Sequence, residues 1–72
     1  MLSVNIIRVA LQASELAALN EHDQQQVLYD KLSNAGIPVV VLNGKLVVTQ
    51  GKFMCYNDDL TNEHIYLWRD TV

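Results

Sequence analysis

The dipeptide Asn43-Gly44 is the feature that most constrains what this chain can fold into. A two-residue type I′ turn needs positive φ at both central residues, and Asn followed by Gly meets that need better than other pairs. Apolar runs flank the dipeptide on both sides. The turn also fixes the register, which places Val40 opposite Val47. We therefore predict a β-hairpin over residues 39–48.

A second tight turn at Gln50-Gly51 predicts a third strand that pairs with the second one. This register places Phe53 opposite Val48 and continues both faces of the hairpin, giving a three-stranded meander. The tail at residues 63–70 fits either a fourth strand or a short helix, because alternating apolar residues and capping residues are both present.

The first segment, residues 3–11, is also ambiguous. Its β-branched residues favour a strand, whereas the spacing of Ile6, Val9 and Ala13 favours a helix. We predict a helix here and keep the strand as the alternative.

Two helices are predicted before the hairpin. Ser14 is a candidate N-cap for a short helix that runs to Leu19, and Asn20 is a candidate N-cap for a helix over residues 21–34. Gly36 suits the left-handed position that ends the second helix. The sequence thus predicts an α+β fold in which N-terminal helices pack on a three- to four-stranded antiparallel meander.

Length and cysteine content limit how this fold is stabilised. A chain of 72 residues forms one domain, residues 1–72, with a marginal core. The lone cysteine, Cys55, excludes an internal disulfide. We therefore expect a protein partner or a second copy of the chain to supply further burial.

Charge and hydropathy exclude several classes of function. Five Lys and Arg residues against eight Asp and Glu residues give a net charge of −3. The cations are spread singly, so strong nonspecific nucleic-acid binding is disfavoured. No apolar stretch is long enough to span a membrane, and no secretory signal is recognisable. With its single unpaired cysteine, the chain is expected to be cytoplasmic.

Candidate catalytic residues are few. Cys55 with His22 or His64 is a conceivable nucleophile and base, but the predicted inward position of Cys55 makes it a small core residue instead. The same three residues are too scattered for a zinc site. The three glycines each have a turn explanation, and no phosphate-binding loop is present. We predict no catalytic residues, no metal and no cofactor, and hence no enzyme.

The predicted meander is apolar on both faces, which is unusual because a half-exposed antiparallel sheet alternates apolar and polar residues. The helices cover only one face. Either the C-terminal tail covers the other, or that face is a protein interface. The candidate interface residues are Val40, Leu42, Val47, Met54, Tyr56, Tyr66 and Trp68.

The order of predicted elements, with residues 13–19 (ASELAAL), 23–27 (DQQQV) and 35–37 (AGI), resembles the helix-turn-helix region of winged-helix regulators. The resemblance implies that the second helix enters the major groove and that the hairpin is the wing. It assigns nucleic-acid contacts to Gln24, Gln25, Gln26, Tyr29, Lys31, Asn43 and Lys45.

Two functional hypotheses follow. The first is a small non-enzymatic regulatory or inhibitory module that binds a protein partner, or a second copy of itself, through an apolar sheet face. The alternative is a winged-helix-like nucleic-acid-binding regulator that uses residues 21–34 and the hairpin tip at 42–45.

Overall fold

A computed structural model describes residues 5–70 and shows an α+β fold. The ends of the predicted 1–72 domain, including the start of the segment predicted over residues 3–11, lie outside the described residues. The elements in chain order are β1 (Ile6–Gln12), α1 (Ala13–Ala17), α2 (Glu21–Asn34), β2 (Val39–Leu42), β3 (Lys45–Val48), β4 (Lys52–Asp58) and β5 (Glu63–Arg69).

The hairpin is confirmed in position and register. Strands β2 and β3 are antiparallel, with Val40 opposite Val47 as predicted. Asn43 has φ 51° and Gly44 has φ 76°, so both central residues of the turn adopt the left-handed conformation that a type I′ turn needs.

The predicted pairing of the third strand with the second is wrong. Strand β4 pairs with β5, so that Phe53 lies opposite Trp68 instead of Val48. The hairpin forms a separate two-stranded sheet, and the larger sheet has the order β1-β5-β4. Strand β5 offers β4 a partner over all seven of its residues, whereas β3 has only four residues.

The helix predicted at the N-terminal segment is also wrong, and the strand alternative is observed. Strand β1 pairs antiparallel with β5 from Ile6 opposite Arg69 to Gln12 opposite Glu63. The ambiguous tail is therefore a strand, and it is the central one of its sheet. The spacing of the apolar residues favours a helix. The segment is extended instead because its β-branched residues pair with a long partner strand.

Both helices before the hairpin are present. Helix α1 begins at Ala13 directly after β1, so Ser14 is not its N-cap. Helix α2 has the predicted bounds, and the Asn20 side chain accepts a hydrogen bond of 2.8 Å from the backbone N–H of Asp23. Gly36 has φ 98° after the last turn, as the left-handed C′ position requires.

The core lies between the three-stranded sheet and a layer formed by α2 and the hairpin. The buried members of this cluster are Leu32 from α2, Ile37 and Val39 around the start of β2, and Trp68 from β5. The molecule measures 44 × 33 × 16 Å. Packed layers lie about 10 Å apart, so the short dimension accommodates two layers.

The winged-helix arrangement is not confirmed. The family resemblance implies a helix before the helix pair, and the chain has strand β1 there instead. Helix α2 also lies against the hairpin, because the Gln25 side chain donates a hydrogen bond to the backbone oxygen of Gly44.

The turn before β4 gives a test of this packing. Gly51 has φ 81°, and a Cβ atom there would lie 2.6 Å from the Arg69 backbone oxygen and 2.6 Å from Trp68 Nε1. Gly44 also has positive φ, but a Cβ there meets nothing within 4 Å. Gly44→Ala should lower the free energy of unfolding by about 1 kcal/mol, because it adds only the strain of an alanine in the left-handed conformation. Gly51→Ala should add overpacking and cost about 3 kcal/mol in urea unfolding. Equal losses in the two variants would contradict the close packing of Trp68 on this turn.

Candidate functional site

The three-stranded sheet has one face on the core and one face turned away from it. Trp68, Tyr66 and Phe53 point inward, and the rings of Phe53 and Tyr66 stack with their centroids 6.0 Å apart. Alternate residues of each strand point the other way. We call the second side the outer sheet face, and by register its residues are Ile6, Arg8, Ala10, Gln12, Lys52, Met54, Tyr56, Asp58, Glu63, Ile65, Leu67 and Arg69.

The outer sheet face has exposed apolar side chains on its two edge strands, β1 and β4. Ile6 and Met54 are 67% and 61% exposed, and Tyr56 is 46% exposed. Leu67 lies between them on β5 and is half-buried, whereas Ile65 is fully buried. Large apolar side chains this exposed, on the two edge strands of one face with apolar Leu67 between them, form the kind of patch that marks an interaction site.

A shallow cavity opens on this face at the end where β5 finishes. Its volume is about 480 Å³, and it is lined by the outer-face residues Ile6, Met54, Leu67, Lys52 and Arg69 together with Phe53 and Trp68. The lining of the cavity is therefore mostly apolar and includes two cations, Lys52 and Arg69. This combination suits an apolar group that is accompanied by negative charge.

Charge on the outer sheet face is separated along the strands. Arg8, Lys52 and Arg69 occupy the two rows nearest the cavity, and we call these residues the basic end. The last row at the opposite end contains Asp58 and Glu63, which we call the acidic end. The first and last rows are six residue steps apart along an extended strand, a distance of about 20 Å.

The seven residues predicted as an interface do not share one surface. Met54 and Tyr56 lie on the outer sheet face. Tyr66 points inward and is half-buried, and Trp68 is 5% exposed and donates a hydrogen bond of 2.8 Å from Nε1 to the backbone oxygen of Gln50. The aromatic side chains of β5 thus lie on the core side.

The other three predicted residues lie on the hairpin. Val40, Leu42 and Val47 are exposed on the side of the hairpin opposite Val39, which is buried. The prediction joined them to Met54 because it placed β4 beside β3. Since β4 pairs with β5 instead, the hairpin and the larger sheet each present a separate apolar surface.

Two of the predicted nucleic-acid-binding glutamines make structural contacts. Gln24 Nε2 donates to the backbone oxygens of Leu16, at 2.6 Å, and Leu19, at 2.9 Å, which closes the link between the helices. Gln25 Nε2 donates to Gly44 and ties α2 to the hairpin tip. The amide groups of both side chains are therefore engaged with backbone oxygens.

The remaining candidates for nucleic-acid contact are distributed over α2 and the hairpin tip. Gln26 Nε2 donates to Asp30 Oδ1 at 3.1 Å on the surface of the helix. Tyr29 is half-buried against the core. The other three residues are exposed: Lys31, Asn43 and Lys45.

Cys55 is exposed on the edge strand β4, so the expectation that it is a core residue is wrong. It lines a cavity of about 240 Å³ together with Asn57, His64 and Tyr66. His64 Nδ1 and Asn57 Oδ1 are 2.6 Å apart, and because an amide oxygen only accepts, this contact places hydrogen on Nδ1. The imidazole is thereby oriented by Asn57, and we assign no catalytic role to the cluster.

Within the same cluster, Tyr66 has a perturbed pKa. Burial raises the pKa of the Tyr66 phenol above its usual value, and negative charge on the nearby Cys55 thiolate raises it further. Both causes disfavour the phenolate, because it is poorly solvated and lies beside a like charge.

Two classes of site are missing from the part of the chain that the structure describes. Among residues 5–70, no three His, Cys, Asp or Glu side chains are grouped so that they could hold a metal ion. Neither helix in that range combines the length and the apolar character needed to cross a membrane.

Sequence reasoning missed most of the outer sheet face. Ile6, Arg8 and Leu67 were not candidates, because β1 was predicted as a helix and the tail was undecided. The alternation along β5 was the available signal, since it separates Ile65 and Leu67 from Tyr66 and Trp68. It assigns the residues to two faces but does not reveal which strands flank them.

Comparison with known proteins identifies no relative: no family model, no curated protein and no solved structure matches this chain. The functional conclusion therefore depends on the geometry of the described residues.

The raised pKa of Tyr66 predicts a loss of stability at alkaline pH. The unfolded phenol ionises near pH 10, whereas the folded phenol holds its proton to higher pH. The contribution of the protonated Tyr66 phenol to the free energy of unfolding is thus complete below about pH 10. It is lost as the pH rises through the pKa of the folded state. In urea unfolding above pH 10, Tyr66→Phe should lose less stability than the wild type. Cys55→Ser should give an intermediate result, because burial remains. If the stability of the wild type and that of Tyr66→Phe fell equally with rising pH, ionisation of Tyr66 would not be linked to folding.

Proposed function

We propose that this protein is a small non-enzymatic interaction module, regulatory or inhibitory in effect, which binds a protein through the outer sheet face. The observation that carries the proposal is the set of exposed apolar side chains on the edge strands of that face, Ile6, Met54 and Tyr56, which flank half-buried Leu67. Aromatic and methionine side chains beside a desolvated apolar centre are typical of protein interfaces.

The total accessible surface supports the proposal. The chain exposes 5263 Å², whereas a compact monomer of 8.1 kDa is expected to expose about 4,500 Å². The excess is consistent with a plate-like molecule that leaves the edge strands of one side of its main sheet exposed. Covering that side with another protein would remove apolar surface from water at about 25 cal/mol per Å².

Two features favour the outer sheet face over the hairpin as the binding surface. Its strands have seven residues each, against four in the hairpin, so it offers a longer continuous surface. It also combines apolar residues and a cavity with two charged ends. The apolar residues and the cavity supply contact area, and the charged ends can orient an incoming partner.

The nucleic-acid alternative has less support. Gln24 and Gln25 engage backbone oxygens, Gln26 bonds to Asp30, and Tyr29 packs on the core, so four of the seven residues implied by the resemblance have partners within the chain. Lys31 and Lys45 are exposed, but two cations on an acidic chain supply little of the phosphate neutralisation that such binding needs.

The proposal is tested by site-specific photo-crosslinking in cells that produce the protein. A photoreactive phenylalanine analogue at position 54 should give discrete protein adducts, because the side chain at that position is 61% exposed within the patch. The same probe at position 26, which is exposed on α2, is the matched control and should give none. Ile6→Asp in the probe-54 chain should reduce the adducts roughly tenfold, since it brings an unpaired charge into the contact.

Absence of adducts at position 54 would overturn the proposal, and so would two other outcomes. One is equal adduct formation from positions 54 and 26. The other is adduct formation only from a probe at position 42, which would assign binding to the hairpin instead of the outer sheet face.

A further inference from the structure

We infer that the occupant of the outer sheet face is a second copy of this chain, stacked face to face with its strands reversed. The inference rests on the proposed function, and it adds the identity of the partner and the geometry of the complex. The observation behind it is the separation of charge along the strands, with the basic end and the acidic end about 20 Å apart.

The four rows of the outer sheet face are complementary to themselves. In order along the strands they are Ile6/Arg69/Lys52, Arg8/Leu67/Met54, Ala10/Ile65/Tyr56 and Gln12/Glu63/Asp58. The first rows are cationic and apolar, and the last row is polar and acidic. A two-fold axis that crosses the strands between the second and third rows exchanges the first row with the fourth.

That operation brings opposite charges together. Each strand lies over the same strand of the second copy in reverse, so Arg69 lies over Glu63 of the second copy and Lys52 lies over Asp58 of the second copy. Met54 lies over Tyr56 of the second copy in the same way. The contact is isologous, as in most two-fold dimers, and every pair occurs twice.

The arrangement meets the geometry of packed sheets. Face-to-face sheets lie about 10 Å apart, with their strands rotated by about 30°. This rotation displaces each residue in proportion to its distance from the centre of the face, so the second and third rows move least. The end pair on β5, Arg69 with Glu63, shifts by about 5 Å, which the long side chains of both residues can span.

The contact is small, which sets its strength. Three strands about 4.8 Å apart and seven residues long give a footprint of about 300 Å², below the roughly 800 Å² per partner of a stable complex. The dimer should accordingly be weak, reversible and dependent on its charged pairs. Raising the salt concentration should therefore weaken the dimer, because exposed charges are screened.

Another two-fold arrangement of the same chain is pairing of edge strand β4 with β4 of a second copy. It too would place Lys52 opposite Asp58 of the second copy, so those residues do not distinguish the two modes. Arg69 and Glu63 do distinguish them. They are on β5, which β4 separates from an edge-paired copy by about 10 Å.

The test is a charge exchange on the central strand, measured by sedimentation velocity and native mass spectrometry of purified chains at low salt. The wild-type average mass should rise from 8.1 kDa toward twice that value with concentration. Arg69→Glu and Glu63→Lys should each weaken self-association at least about tenfold, because two attractive pairs become repulsive. An equal mixture of the two variants should restore the dimer as a heterodimer, in which all four charges are again complementary.

Lys31→Glu is the matched control, since it makes the same charge change as Arg69→Glu on an exposed residue of α2 outside the outer sheet face. It should associate as the wild type does. Circular dichroism establishes that each variant is folded. The inference is overturned if the wild type stays monomeric at all concentrations, if the single variants associate like the control, or if the mixture fails to restore the dimer.

Failure here is separable from failure of the proposed function. A monomeric wild type whose probe at position 54 still forms adducts with a protein of other mass would keep the outer sheet face as a binding surface. Only its occupant would then be wrong. Absence of adducts at position 54 would remove the binding surface itself.

Discussion

The pairing of β5 between β1 and β4 is the interaction on which the rest of the structure depends. It joins the beginning of the described chain to its end and gives two seven-residue strands a partner along their full length. It also brings Trp68 under the helix layer, where the ring packs with Leu32 and Ile37 and its N–H bonds to the turn before β4. Without this central strand, neither the core nor the outer sheet face would exist.

The parts of the fold that could be predicted from sequence are those with local causes. Asn43-Gly44 determines the turn and the register of the hairpin formed by the residues beside it. Asn20 and Gly36 determine where α2 begins and ends, because they cap its two ends. The long-range pairing had no such signal. A strand at β1 becomes favourable only once β5 lies beside it, and the spacing of Ile6 and Val9 alone favoured a helix.

The candidate site was predicted less well than the fold, for the same reason. Met54 and Tyr56 were identified as an exposed apolar pair, but their neighbours on the face come from strands that are distant in sequence. Arg8, Lys52 and Arg69 look isolated along the chain, yet the sheet register gathers them at one end of one face. A charge pattern that makes the surface complementary to itself therefore becomes visible only in the assembled sheet.

The most direct test of the account is an intermolecular NOE experiment on a mixture of ¹³C-labelled and unlabelled chains. In the face-to-face stack, Leu67 on the central strand lies over the third row of the second copy, beside Tyr56. We predict intermolecular contacts between the Leu67 methyl groups and the Tyr56 ring. Intermolecular contacts limited to the backbone of β4, or to Val40, Leu42 and Val47, would contradict the account.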